Sequence, residues 1–212
     1  MKDDKDFEMV GQRRPRKDGP EKVSGRAIFT DDVRLPGMLH GRILRSRHQH
    51  ARILKLDTSK AETLPGVHAV VVAEDSEGIY ATPNEPAICG DVTRYIGEEL
   101  AGVAAIDERT AAKALDLIEV EYEVLPSVTT VRQALKEDAP QVDPGFPGNI
   151  VSTDFDDWGT TEQSFAEADL VFEDEFVSRP THNLFAEYHV VVADWSRPEK
   201  LDVWTPTQSA YL

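Results

Sequence analysis

Apolar and polar positions follow two rhythms along this chain, and those rhythms place most of its elements. Residues 39–44 and 51–57 read as strands. Uninterrupted apolar runs at 67–73 and 100–106 predict strands buried on both faces. Ser59 followed by Glu62 has the spacing of a capping box and predicts a short helix. Pro65-Gly66 ends that helix, because proline cannot continue it and glycine tolerates a left-handed exit. The helical period is clearest at Ala111, Ala114, Leu115 and Ile118, which recur at i, i+3, i+4 and i+7 behind Asp107, a good amino-terminal cap. The period then changes to two. Ile118, Val120, Tyr122 and Val124 alternate with Glu119, Glu121 and Glu123, which predicts a strand with one wet face. Thr130 with Gln133 caps a further short helix.

The flanks are less regular. Residues 1–22 are rich in Lys, Arg, Asp and Pro without apolar period and read as an extended arm. Residues 74–93 read as a long loop, a natural place for outside contacts. Proline and glycine between 136 and 160 read as a linker. Beyond it, one or two helical turns are expected at 161–168 and an alternating strand at 170–177. Residues 190–195 and 201–204 flank a hairpin loop at 196–200. No stop signal follows, so the last unit reads as a sheet still being built, in need of a partner or of further chain. The expectation is an α+β protein that forms one piece of a larger enzyme, with an arm at 1–22, a domain at 23–135, a linker at 136–160 and a second, incomplete unit at 161–212.

Composition narrows the function classes. The 212 residues are 40% hydrophobic and 29% charged, ordinary for a folded protein. A single cysteine, Cys89, excludes an internal disulfide and an iron–sulfur cluster held by this chain. No apolar stretch approaches the roughly 20 residues that cross a bilayer, and the polar, acidic start is unlike a signal peptide, so the cytoplasm is the expected compartment. A net charge of −16 argues against nucleic acid as a partner. The charge is uneven: residues 1–60 hold 15 Lys/Arg against 9 Asp/Glu, and the remainder is strongly acidic. Two arrangements satisfy this asymmetry, a basic flank that docks on a partner or opposite charges that pair within the fold.

Residue types alone name no reaction. The chain has no glycine-rich phosphate loop and no nucleophile elbow. Cys89 reads as an inert small residue before it reads as a nucleophile. His48 and His50 would share a face if extended, yet no third ligand follows, so positional roles are expected. His182, Glu187 and His189 form a second group, with Glu187 and His189 on one face of any strand there. The carboxylate pairs Glu98-Glu99 and Asp156-Asp157 read as solvated loop charges.

The order of segments is more informative. Lys22-Val23-Ser24-Gly25-Arg26-Ala27, Phe29-Thr30-Asp31-Asp32 and Leu35-Pro36-Gly37-Met38-Leu39 open the series. Arg45-Ser46, His50-Ala51-Arg52-Ile53, Leu64-Pro65-Gly66-Val67, Arg94-Tyr95-Ile96-Gly97-Glu98 and Val120-Glu121-Tyr122-Glu123-Val124-Leu125-Pro126 continue it. Together they resemble the amino-terminal part of the large, molybdenum-binding subunit of the xanthine dehydrogenase and aldehyde oxidase family, the molybdenum hydroxylases.

The resemblance implies an α/β hammerhead domain at 23–135 and the start of the first molybdopterin-binding domain at 161–212. It implies a molybdenum–molybdopterin cofactor whose metal takes no protein side chain as ligand. It also implies iron–sulfur clusters and FAD on partner subunits or domains, and a small-molecule substrate. Trp204-Thr205-Pro206-Thr207-Gln208 is similar to the family segment that ends in a glutamine hydrogen-bonded to an oxygen ligand of the metal, a role suited to a neutral amide. His182 and Glu187 fall in the family's His…Glu segment, although Tyr188 stands where many members have proline, which leaves the pair a near-site or structural role. No catalytic residue is expected within these 212 residues: the glycine-rich loop and the catalytic glutamate would come later in the subunit. The complete enzyme would hydroxylate an aldehyde or an N-heterocycle, or run as an aromatic acyl-CoA reductase. The alternatives are a non-catalytic hammerhead-containing binding or assembly module and, with least support, a hydrolase built on His182 or Cys89.

Overall fold

The computed structural model describes residues 9–82, 85–156 and 158–209. Part of the arm, part of the 74–93 loop, Asp157 and the last three residues therefore lie outside the described residues. In chain order the elements are α1 (Gly19–Val23), β1 (His40–Arg45), β2 (Ala51–Asp57), α2 (Ser59–Glu62), β3 (Val67–Val71), β4 (Tyr80–Thr82), β5 (Glu85–Pro86), β6 (Val92–Thr93), β7 (Glu99–Ala105), α3 (Glu108–Asp116), β8 (Glu119–Val124), α4 (Val131–Ala134), α5 (Thr161–Glu167), β9 (Val192–Arg197) and β10 (Lys200–Trp204). The chain divides into two compact units, one of residues 37–172 and one that joins residues 1–36 to residues 173–212. Among the described residues no helix is long and apolar enough to cross a membrane.

In the 37–172 unit the organising element is β7. It lies between β1 and β3, antiparallel to both. Leu100, Ala101, Val103 and Ala105 are buried, as the apolar run predicts. The companion run behaves differently. β3 is an edge strand with exposed and half-buried positions, and it is not buried on both faces. It also stops at Val71, because the Asp75 carboxylate accepts the Val72 N–H at 2.9 Å and turns the chain into a 3-10 segment. Gly102 is where β7 admits this edge: a Cβ there would sit 2.8 Å from Val71 Cγ2.

The helix α3 packs its small apolar stripe onto this sheet. Ala111 and Ala114 are fully buried, and the core joins Ala114 and Ile118 to Ala61, Ala101 and Val103. Alanine lets helix and sheet approach closely, and Val70, Leu115 and Val120 fill the margins. Asp107 caps α3 as expected, its carboxylate accepting the Thr110 N–H at 2.7 Å. Chiefly through that backbone bond, its pKa lies below the ordinary 3.8.

The second sheet has the order β6-β2-β8, all antiparallel. In β8, Val120 and Tyr122 turn inward and the three glutamates outward. The expected capping box at Ser59 does not form. Thr58 is the cap residue, and Ser59 donates its N–H and hydroxyl to Asp57, at 3.1 and 2.6 Å. Asp57, two residues upstream, takes the Ser59 N–H that Glu62 would accept in a capping box, and Glu62 accepts the Thr58 hydroxyl instead. The arm also differs from its extended reading. Asp18 takes both Arg16 and Lys22, and with Pro20 starts the turn of α1. Charge pairs cross the fold as one of the two arrangements requires: Arg42 meets Glu108 at 3.1 Å, Arg52 meets Glu123 at 3.5 Å and Lys60 meets Glu119.

Two further expectations fail. Residues 170–177 form no strand: they are extended without a ladder partner among the described residues, and Phe172 and Phe176 are 85% and 90% exposed. Alternation reports which side chains share a face, but a strand also requires a neighbour for its backbone. Glu98 is no solvated loop charge. It is 5% exposed, accepts the Arg94 N–H at 2.5 Å and pairs with the Arg94 guanidinium, which also reaches Asp143 at 2.7 Å. Buried charge is tolerated there because it is paired on both sides.

Two changes test this packing. Gly66 has φ +92°, and a Cβ would lie 2.9 Å from Ile106 Cδ1. Gly66→Ala is expected to cost about 1–3 kcal/mol in urea unfolding, and an unchanged midpoint would contradict the packing described. The Asp107 carboxylate, with its lowered pKa, stabilises the fold above the ordinary value and loses that contribution as pH falls through the folded value. The stability gap between the parent and Asp107→Ala should therefore be widest at neutral pH and narrow below pH 3.8; a gap independent of pH would rule this out.

Candidate functional site

The site-forming unit is the one that joins residues 1–36 to residues 173–212. Its frame is the β9–β10 hairpin, paired through Val192↔Trp204, Ala193↔Val203 and Asp194↔Asp202. The turn is tighter than the five-residue loop expected, since Arg197 pairs directly with Lys200. Asp194 accepts the Ser196 N–H at 2.9 Å, Trp195 donates its indole N–H to the Pro198 carbonyl at 3.3 Å, and Asp202 takes Arg197 and Lys200. Those bonds, the Lys200 one foremost, hold the Asp202 carboxyl below its usual pKa.

The ladder ends at Trp204, and Pro206 two residues on offers no N–H with which to resume it. The chain from 205 to 208 is thereby freed to turn toward residues 183–191, and Thr207 Oγ1 accepts the Ser209 N–H at 3.1 Å just past Gln208. On the facing segment, His182 Nδ1 accepts the Leu184 N–H at 3.0 Å, and Leu184 adopts φ +50°. This bend brings the Phe185 and His189 rings to 5.2 Å.

Between the two segments lies a cleft of about 600 Å³ lined by Phe185, Glu187 and His189 on one side and Thr205, Pro206 and Gln208 on the other. Glu187 and Gln208, 21 positions apart in the chain, thus border one cavity. His182 is not among the lining residues, and its ring nitrogen serves the bend. Residues 187–189 form no strand, yet Glu187 and His189 both reach the cleft. The cleft offers a neutral amide, a carboxylate, hydroxyls and an imidazole. Among the described residues no three His, Cys, Asp or Glu side chains converge as a metal-binding group.

The other candidates have structural explanations. His50 is buried and its Nδ1 lies 2.6 Å from the Pro126 carbonyl, an acceptor only, so the ring donates and ties β2 to the end of β8. The His48 ring meets Tyr122 edge-on at 4.7 Å. Cys89 is 2% exposed, with Sγ 3.2 Å from the Val92 carbonyl. Burial, and next the Glu98 charge, push its thiol up to about 11. Sequence reasoning missed the turn at Thr30–Asp32. That turn closes part of a second cleft against residues 203–207, and no spacing signal announces a contact so distant in the chain.

Comparison with known proteins follows the same geography. Residues 24–126 match the family described as aldehyde oxidase and xanthine dehydrogenase, a/b hammerhead domain. The chain is 39% identical over 167 residues to a probable xanthine dehydrogenase subunit of Bacillus subtilis, a match covering 77% of this chain and 22% of that protein. It is 32% identical over 212 residues to the nicotinate dehydrogenase large molybdopterin subunit of Eubacterium barkeri, covering 98% of this chain and 49% of that one. Among solved structures, quinoline 2-oxidoreductase from Pseudomonas putida 86 aligns with a TM-score of 0.61 and 36% identity over 68% of this chain and 20% of that chain. The chain therefore spans at most about half the length of these relatives.

The buried thiol yields a prediction. Cys89 should resist a disulfide reagent at pH 8 in the folded chain and react on unfolding; rapid labelling of the folded chain would contradict its burial. Because its folded pKa is raised, the stabilisation is complete below the ordinary 9.0 and should be lost as pH rises toward about 11.

Proposed function

Because the chain belongs to the aldehyde oxidase and xanthine dehydrogenase family of molybdenum hydroxylases, we propose that it forms the amino-terminal part of a large, molybdopterin-binding subunit. In this reading residues 1–22 are an arm, 23–135 the hammerhead, 136–160 a linker and 161–212 the beginning of the first cofactor domain. The observation that carries the proposal is the single cleft bordered by Gln208 and Glu187.

The donor set of the cleft suits such a cofactor. An amide, hydroxyls, a carboxylate and an imidazole are hydrogen-bond partners, and with no three His, Cys, Asp or Glu converging among the described residues they suit a metal that would be held by the cofactor itself. When bound, the molybdenum cofactor supplies the two-electron chemistry that hydroxylates a carbon of an aldehyde or N-heterocycle with oxygen from water, or runs toward reduction of an aromatic acyl-CoA. Gln208 would help hold the cofactor through its Nε2–H, a donor that adds no net charge to the site. Glu187, on the opposite wall, would accept hydrogen bonds from the bound group. His182 acts one step back, holding the bend that brings Phe185 and His189 round. The electrons would pass to iron–sulfur clusters and FAD on partner subunits or domains.

Replacing Gln208 by Ala in the complete holoenzyme should lower turnover about 10–100-fold, with little change in unfolding midpoint. Unchanged turnover at full molybdenum occupancy would contradict the assignment.

A further inference from the structure

The extended stretch at 170–177 has a symmetry of its own. Val171-Phe172-Glu173-Asp174-Glu175-Phe176-Val177 reads the same in both directions about Asp174. Its backbone has no ladder partner among the described residues, and Val171, Phe172, Phe176 and Val177 are all exposed. Extended backbone with exposed aromatic rings is a template for another strand. One bond already orders the stretch: the Asp174 carboxylate accepts the Glu175 N–H at 2.8 Å. Successive N–H groups of a strand point to opposite edges. With the Glu175 N–H taken, the edge that carries the N–H groups of Phe172, Asp174 and Phe176 is the one suited to a partner.

A palindrome is complementary to its own reverse. When two copies pair antiparallel about Asp174, Phe172 lies opposite the second copy's Phe176 and Val171 opposite its Val177, each contact occurring twice by the twofold symmetry. Aromatic and β-branched cross-strand pairs of this kind stabilise a ladder. The acidic centre opposes it. Glu173 falls opposite the second copy's Glu175, again twice, at the closely spaced positions between the hydrogen-bonded pairs, where like charges repel most. We propose that residues 170–177 form an interaction surface for a second copy of this chain, paired as antiparallel strands in the register centred on Asp174. The apolar pairs favour this association and the facing glutamates keep it weak. It requires no cofactor and is independent of the functional reading above.

Sedimentation velocity on the full chain tests the register through charge. Added salt should strengthen self-association of the parent, because it screens the facing glutamates. Glu173→Lys and, independently, Glu175→Lys each set a lysine opposite a glutamate at both symmetric positions, and each should tighten association about tenfold. The double variant sets lysine opposite lysine and should return to the weakness of the parent. Phe172→Ser should abolish association in all of these backgrounds. A short bismaleimide should link Asp174→Cys to its own copy and leave Leu170→Cys unlinked, since the two copies of residue 170 would lie eight strand residues apart, roughly 27 Å. These side chains lie outside the buried core, so the variants are expected to fold. Single lysine variants no tighter than the parent, a double variant tighter than either, or equal linking at 170 and 174 would overturn the register. All chains remaining monomeric would overturn the surface.

Discussion

A central strand must have both of its backbone edges satisfied, and much of the 37–172 unit follows from meeting that requirement for β7. β1 supplies one ladder and β3 the other. Closure on the β3 side is possible only because Gly102 leaves room for Val71. The same scarcity of side-chain volume, at Ala101 and Ala105, lets α3 press its alanine stripe onto the sheet. Just before β7, the Arg94–Glu98 pair with Asp143 brings residues near 143 against the domain, so the stretch composed like a linker is anchored in part by charge. Residues 141–149 are further closed by their own amides: Gln141 donates to the Phe146 carbonyl, and Asn149 accepts the Val142 N–H and donates to Pro140.

In the other unit the governing constraint is the missing N–H of Pro206. A hairpin continued past Trp204 would carry Gln208 along the ladder. With the ladder ended at Trp204 and Pro206 unable to resume it, Gln208 lines a cleft with Glu187 and His189. The facing segment is shaped by local bonds, those of His182 and the strained Leu184, and not by a sheet. A polar, hydrogen-bonding cavity built this way suits a cofactor that arrives with its metal already coordinated, in keeping with the family to which the chain belongs.

Much of the fold was legible in the chain because periodicity and capping are local. The α3 stripe, the Asp107 cap and the one-sided β8 strand all appear where the pattern places them. Local signals failed where a competitor or a neighbour decided. Asp57 displaced the Ser59 cap, β3 fell at an edge, and residues 170–177 found no ladder partner among the described residues. The burial of Glu98 depends on Arg94 and Asp143 together, and Asp143 lies 45 positions beyond Glu98. At the candidate site, resemblance singled out Gln208, Glu187 and His182, but only the folded chain separates the two that border the cleft from the one that braces its wall. The Phe29 turn left no trace in spacing, because its partners come some 170 residues later.

The Gln208–Glu187 cleft is proposed to face the molybdenum cofactor of the complete enzyme. Amide hydrogen exchange at residues 187–191 and 205–208, measured in the native protein that carries this sequence with its cofactor and after cofactor removal, tests it most directly. The account predicts marked protection of both segments when the cofactor is present, while β7 exchanges equally slowly in both states. Equal exchange of the two segments with and without cofactor would contradict it.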